Sequence, residues 1–251
     1  MSEALFIFVP MPAAKKKSSK STSRFSNFLR VAKKVILWYF IVTISWVIIY
    51  RFVNPPFTLL MIQRGIGGLV SGDGWKLEKE WKGFDELSNN LKYAAIAGED
   101  ANFMHHYGFD FKSIQKAYAK NKAGKPIRGG STISQQTAKN VFLWPGRSYI
   151  RKAFEAYFTL LIEIFWSKER ILEVYLNVAE MGDGIFGAEA AAREYFHKSS
   201  QRLTKGQAAL LIAVLPNPRK WSPAHPTKYI YYKQYLILRN MRRVKKTSSF
   251  D

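Results

Sequence analysis

Apolar positions divide the chain into one long uncharged run and a series of shorter stripes. Val35 to Tyr50 (VILWYFIVTISWVIIY) is sixteen residues without a charge, closed by Arg51 and extended by Phe52 and Val53 before Asn54-Pro55-Pro56. A membrane span takes about 20 apolar residues, roughly 17 at the lower end, and flanking Lys34 and Arg51 can snorkel to lengthen this one. The pattern predicts one transmembrane helix over residues 35–53. A cleaved signal peptide fits less well, because no small-residue cleavage site follows. A short apolar run, Ala4 to Val9, is too short to span anything and has no assigned role.

Beyond the span the stripes change to helical spacing. Residues 54–86 hold Gly65, Gly67, Gly68, Gly72 and Gly74 among few long apolar runs, and read as a linker with at most a short strand or two. Ser88 is a good cap for a helix carrying Leu91, Ala94 and Ala95 and ending at Glu99-Asp100. Phe109, Phe111, Ile114, Ala117 and Tyr118, broken by lysines up to Lys125, form a basic amphipathic stretch that suits a membrane interface or an ordinary core-facing helix. Ser131 or Thr132 can cap a helix from Ile133, and Ser148 to Trp166 is a long helix with Ile150, Phe154, Phe158, Leu161 and Phe165 as its stripe.

Ser167 caps a helix through Ile171, Leu172, Tyr175, Leu176 and Asn177, after which Gly182, Gly184 and Gly187 read as a loop. Ala188 to Phe196 is a small-residue helix. Thr204 and Gln207 form a capping box before Ala208 to Leu215, stopped by Pro216, Pro218 and Pro223. Lys228 to Lys246 is the last predicted helix. Strands are nearly absent, so the class is mainly α.

Charge changes the picture. The formal net charge is +21, which demands an anionic partner: nucleic acid, anionic lipid or a phosphorylated substrate. From Lys15 to Lys34 there are eight basic residues and no acidic one, which reads as a disordered basic tail within residues 1–34. Only Arg51 and Arg64 lie just beyond the span, so the positive-inside bias places the N-terminus in the cytoplasm and the rest of the chain outside. That location excludes nucleic acid and favours lipid headgroups or lipid-linked phosphates. With no cysteine, disulfides, thiolate metal sites and a cysteine nucleophile are excluded.

The candidate chemistry centres on Gly129 to Asn140, which packs two glycines, hydroxyls, amides and Lys139 into twelve positions. It reads either as a capped helix with a polar outer face or as a site for a polar ligand, with exposed amides at a helix start suited to phosphate. Glu99 at a helix C-terminus is poorly placed for stability, because the dipole disfavours an anion there. It is either a candidate acid or base or half of a solvated Glu-Asp pair. Adjacent His105 and His106 have no evident third ligand for a metal. Arg147, Arg151 and Glu155 lie four apart on one helix face, where Arg151 and Glu155 form a simple ion pair or the arginines hold a phosphate beside Glu155.

These residues together resemble the peptidoglycan glycosyltransferases of family 51, most closely the monofunctional biosynthetic transglycosylases. The resemblance runs from about Leu87 to Pro223 and covers five motifs in order. They are Glu99-Asp100-x-x-Phe103 with His106, Gly108 and Asp110; Gly129 to Asn140; Arg151-Lys152-x-x-Glu155; Ile171 to Asn177; and Ala208 to Leu211 with Leu215-Pro216-x-Pro218. Gln207 stands where the family usually has Glu, and caps a helix equally well. No serine acylation motif with its usual partners follows, so no transpeptidase activity is expected.

The resemblance implies a lysozyme-like helical glycosyltransferase domain over residues 87–251, with a small membrane-associated lobe to which Phe109 to Lys125 would belong. It implies polymerisation of lipid II by inverting transfer, with Glu99 and Glu155 as catalytic carboxylates. Lys139, Arg147 and Arg151 would hold diphosphate; Asp100, Phe103, His106, Ser131, Thr132, Gln135, Gln136, Asn140 and Lys152 would bind substrate. No cofactor is firmly implied, although a loosely held divalent cation, Mg or Mn, fits a diphosphate. Expected partners are lipid II, the growing glycan, membrane lipid and cell-wall synthesis or division proteins, at the outer face of the cytoplasmic (inner) membrane. Two rival readings are a lysozyme-like lytic enzyme, which would not need the cationic cluster, and a non-catalytic anchored scaffold.

Overall fold

The long uncharged run lies within a single helix, α1 (Lys20–Phe52), in a computed structural model that describes residues 20–72, 74–75, 77–112, 115, 130–247 and 250. The helix starts well before the apolar run, so Lys20 to Lys34, read as disordered tail, is helical. No proline or glycine interrupts it there, and once an apolar segment is helical each added residue gains a hydrogen bond for little further ordering. Phe25 to Phe52 is long and apolar enough to cross a membrane, its 28 residues rising about 42 Å. Phe25, Phe28, Leu37, Trp38 and Val42 are all exposed, a surface suited to lipid rather than to a protein core.

The chain forms two compact units divided between Ser45 and Trp46. The second carries the remaining helices in two groups. In one, α3 (Asn89–Glu99), α8 (Lys205–Val214) and α9 (Lys228–Thr247) pack on each other; in the other, α4 (Ile133–Phe142) packs on α5 (Tyr149–Phe165) and α6 (Lys168–Val178). The small-residue helix is α7 (Ala188–Phe196). Helix starts follow local capping chemistry: Ser88, Ser148 and Ser167 each accept a backbone N–H, and Thr132 with Gln135 and Thr204 with Gln207 form capping boxes.

Two segments differ from the sequence pattern. The glycine-rich stretch read as linker contains α2 (Leu59–Ser71), capped by Thr58 and closed by Gly72 in the left-handed region. Arg64 forks onto Glu180 at 2.9 and 3.0 Å, tying this helix to the rest of the lobe. Leu59, Ile62, Ile66 and Leu69 remain exposed. The second segment, the Gly182–Gly187 loop, contains a hairpin of β2 (Glu180–Gly182) and β3 (Ile185–Phe186); β1 (Glu78–Lys79) pairs parallel to β3 on the other side. Most of the amphipathic stretch from Phe109 to Lys125 lies outside the described residues.

Candidate active site

Helix α3 ends on Glu99, with Asp100 as its C-cap. The two adjacent carboxylates have different surroundings. Asp100 is buried, accepts His106 Nε2 at 2.9 and 3.0 Å, and accepts the backbone N–H of Ile133 at 3.1 Å. Its charge therefore sits at the positive end of α4. Glu99 is partly exposed, and Gln136 of α4 donates to its Oε2 at 2.8 Å. The Tyr175 hydroxyl reaches the other end of that amide at 3.5 Å.

Burial raises the Glu99 pKa, opposed by the Gln136 hydrogen bond and by the positive charges of Lys233 and Lys139, while Asp100 adds to the rise. The carboxylate is open enough for a ligand to reach, yet the surrounding protein dominates its proton affinity. Lys139 and Lys233 are shifted down, in both cases chiefly by burial. Lys139 also feels Glu155 and Glu99 as favourable charges and Arg151 and Lys152 as unfavourable ones.

The loop after α3 is docked from beneath. Phe103 is fully buried, with the Lys168 ammonium 4.5 Å from its ring centroid. Lys168 donates to the His106 carbonyl at 2.6 Å and to Glu163 at 2.8 Å, and Glu163 also accepts from buried Ser134. Thr132 Oγ1 donates to the Gly108 carbonyl at 2.6 Å. Gly108 has φ +81°, and a Cβ there would lie 2.7 Å from Thr159 Cγ2, so only glycine lets the loop approach α5 this closely. Thr132 and Gln135, expected as substrate contacts, are buried and engaged in capping each other. Asp100, Phe103 and His106 likewise have internal partners, which gives them a supporting place below the site.

A pocket of about 190 Å³ lies between α2 and the start of α5, lined by Lys139, Asn140, Trp144, Gly146, Arg151 and Leu60 among others. Glu155 is buried at 3% exposure, accepts from Arg151 at 3.2 Å and is also bonded by Lys152. Both its oxygens are therefore occupied by cations. The Arg151 Nε is buried with no partner among the described residues, and Arg151 is among the residues that line the pocket. Ser131 is exposed just before α4 and Arg147 is exposed in the loop before α5; Gly129 lies outside the described residues. Among the described residues no group of three or more His, Asp or Glu is placed to hold a metal ion.

Several participants escaped the sequence reading. Lys233, Trp144, Leu60 and the Glu163–Lys168 pair occur outside the recognised motifs, and Tyr175 lies within the fourth motif but without an expected role at the site. Lys233 had a signal: a cation at an apolar register position of α9.

An ionisable carboxylate beside two partly buried lysines, on a helical lobe with an N-terminal helix long and apolar enough to cross a membrane, suits an enzyme that handles an anionic substrate. Over residues 70–242 the chain matches the family described as Transglycosylase. It is 51% identical over 217 residues to the biosynthetic peptidoglycan transglycosylase of Pseudomonas fluorescens strain Pf0-1, covering 86% of this chain and 90% of that one. It is 49% identical over 219 residues to the protein of the same name from Pseudomonas putida strain W619, covering 87% and 93%. The chain belongs to the transglycosylase family, and its mainly helical architecture is the lysozyme-like one expected.

Proposed function

We propose that the chain is a peptidoglycan transglycosylase that polymerises lipid II into linear β-1,4 glycan strands. The observation that carries this reading is Glu99, with its pKa raised by burial and its carboxylate held by Gln136 between the charges of Lys139 and Lys233. A base needs a proton affinity near the working pH, and this setting moves a carboxylate in that direction. Glu99 takes the proton from the acceptor 4-hydroxyl as its oxygen bonds to the donor's anomeric carbon. The bond from that carbon to the diphosphate oxygen breaks, and its electron pair leaves with polyprenyl diphosphate.

Charge accumulates on the leaving diphosphate, so fixed cations there stabilise the transition state. Lys139 and Arg151 line the pocket suited to it, and Arg147 lies in the adjoining loop. Glu155 acts by fixing Arg151 and Lys152 rather than by handling the reacting proton. Asn140 and Ser131 remain available to sugar and phosphate oxygens, Gln136 holds Glu99, and Asp100, Phe103, His106, Thr132 and Gln135 hold these groups in place. A divalent ion, if one joins, would ride on the diphosphate.

In this reading residues 1–34 are a cytoplasmic tail, 35–53 cross the inner membrane once, 54–86 connect, and 87–251 form the catalytic domain on the periplasmic face. The connecting segment also supplies Leu60 to the pocket, and the exposed apolar side of α2 faces membrane lipid. Incubation of the detergent-solubilised protein with labelled lipid II tests the assignment. Polymer and released polyprenyl diphosphate from wild type, with neither from Glu99→Gln, is the expected result; shortening of preformed glycan without polymer would refute it.

A further inference from the structure

Helix α9 is packed along α3 and α8 by a buried stripe of Ile230, Ile237, Met241 and Val244. Lys233 falls within that stripe, three residues after Ile230 and four before Ile237, where an amphipathic helix places an apolar side chain. The packing is closest at Gly98. A Cβ there would lie 2.7 Å from Ile212 and 3.3 Å from Ile237, so the last turn of α3 is pressed against α9 one residue before Glu99. One turn along α9 from Ile237, Lys233 is half-buried with Glu99 as its charged neighbour. Its ammonium lies 5.4 Å from the Trp221 ring centroid, and that ring in turn packs 5.5 Å from Tyr229.

We infer that Lys233 is a positioning residue for the transfer reaction, held against Trp221 so that its charge sits beside the Glu99 carboxylate. The inference rests on the reading of Glu99 as the base. The groups that face Glu99 are Asp100 next to it in the chain, Gln136 and Lys139 from α4, Tyr175 from α6 and Lys233 from α9. Lys139 acts on Glu99 less strongly than Lys233 and also feels the charge of Glu155, and Asp100 repels. Of the two cations at Glu99, Lys233 acts the more strongly, and it favours the ionised carboxylate against the cost of burial. The aromatic face fixes the ammonium without neutralising it, which a carboxylate partner would do.

The sign is determinate. Without the Lys233 charge Glu99 binds its proton more tightly, so a larger fraction of enzyme is inactive on the acid side and the acid limb of kcat/KM moves to higher pH. The test is the pH profile of lipid II polymerisation by full-length wild type, Lys233→Met, Lys233→Gln, Lys233→Arg and Glu99→Gln. The two neutral variants are expected to raise the acid limb by about 0.5–1 pH unit and to approach wild type at high pH, with Lys233→Arg close to wild type throughout. Met preserves the apolar stem and Gln a polar one, so failure of one to fold leaves the other to decide.

A neutral variant whose acid limb coincides with wild type overturns the inference, and so does Lys233→Arg being impaired as deeply as Lys233→Met. Glu99→Gln separates the two levels. If it still polymerises, the base assignment fails and Lys233 loses its role with it. If it is inert while the Lys233 limbs are unmoved, the base stands and only the inference about Lys233 falls.

Discussion

Gln136 donates its side-chain amide to Glu99 at 2.8 Å, tying the last residue of α3 to the first turn of α4. The same turn receives Asp100 through the Ile133 N–H. Two neighbouring carboxylates are thus divided between tasks: Asp100 holds the helix start, and Glu99 keeps Oε1 clear of any donor among the described residues.

The Gln136 amide stabilises the ionised form of Glu99, so removing it raises the carboxylate's proton affinity. Gln136→Leu is expected to lower kcat/KM about 10- to 100-fold near neutral pH and to move the acid limb upward. Tyr175→Phe loses only a 3.5 Å contact and is expected within about threefold of wild type. A Gln136→Leu profile with an unmoved or lowered acid limb would count against Glu99 as the base.

Burial of Glu99 also has a consequence for stability. Its folded pKa lies above its unfolded value, so its contribution is most favourable below the unfolded pKa and is lost as pH rises through the folded one. Glu99→Gln, which has no charge to bury, is therefore expected to melt above wild type at pH 7.5, by about 2–4 °C, with the gap closing near pH 4. Thermal unfolding of both proteins in the same detergent at the two pH values checks this. A mutant less stable than wild type at pH 7.5 would mean that the carboxylate is structurally required.

Lys139 presents the converse case, a cation shifted down by burial that lines the pocket proposed for the diphosphate. Lys139→Met removes an incompletely compensated charge and retains the stem. Polymerisation is expected to fall by about 100-fold or more, since the loss lies in transition-state charge stabilisation. Tm at neutral pH is expected to hold or rise. Loss of activity accompanied by a matching loss of Tm would instead make Lys139 a structural residue.

Helix starts were legible because caps are local chemistry: Ser88, Ser148, Ser167 and Thr204 with Gln207 act within three residues of themselves, and of the two candidates Ser131 and Thr132 it is Thr132 that caps α4, boxed with Gln135. Helix α2 was not legible, because its glycines lower helix propensity and what holds it is tertiary. A Cβ on Gly65 would lie 2.6 Å from the Trp75 ring, and Arg64 pairs with Glu180 more than a hundred residues on. The hairpin at Glu180–Phe186 depends equally on pairing with Glu78–Lys79. For the site, the motifs named most participants but could not say which faced ligand. Asp100, Thr132 and Gln135 sit among the right residues yet are occupied internally: Asp100 by His106 and the distant Ile133 N–H, Thr132 and Gln135 by the local cap they form together.

Arg170 carries the last prediction, because it joins the end of α1 to the catalytic lobe. Its guanidinium donates to the carbonyls of Tyr50 and Val53, each at 3.0 Å, to Asn54 at 2.9 Å and to Glu173 at 2.7 Å. The final carbonyls of a helix have no partner within the helix and carry the negative end of its dipole, so a forked cation satisfies both demands. Trp166 reinforces the junction by donating to the Val47 carbonyl at 2.8 Å, and Trp46 packs edge-on to Phe142 at 5.2 Å. Arg170→Ala leaves these carbonyls and Glu173 with fewer partners and is expected to cost about 2 kcal/mol. Arg170→Lys restores little, because a single ammonium cannot reproduce the fork. Both variants are expected to melt below wild type and to be cleaved faster between Asn54 and Phe57 in limited proteolysis. Wild-type melting and cleavage rates in Arg170→Ala would show that the anchor end is held by its aromatic contacts alone.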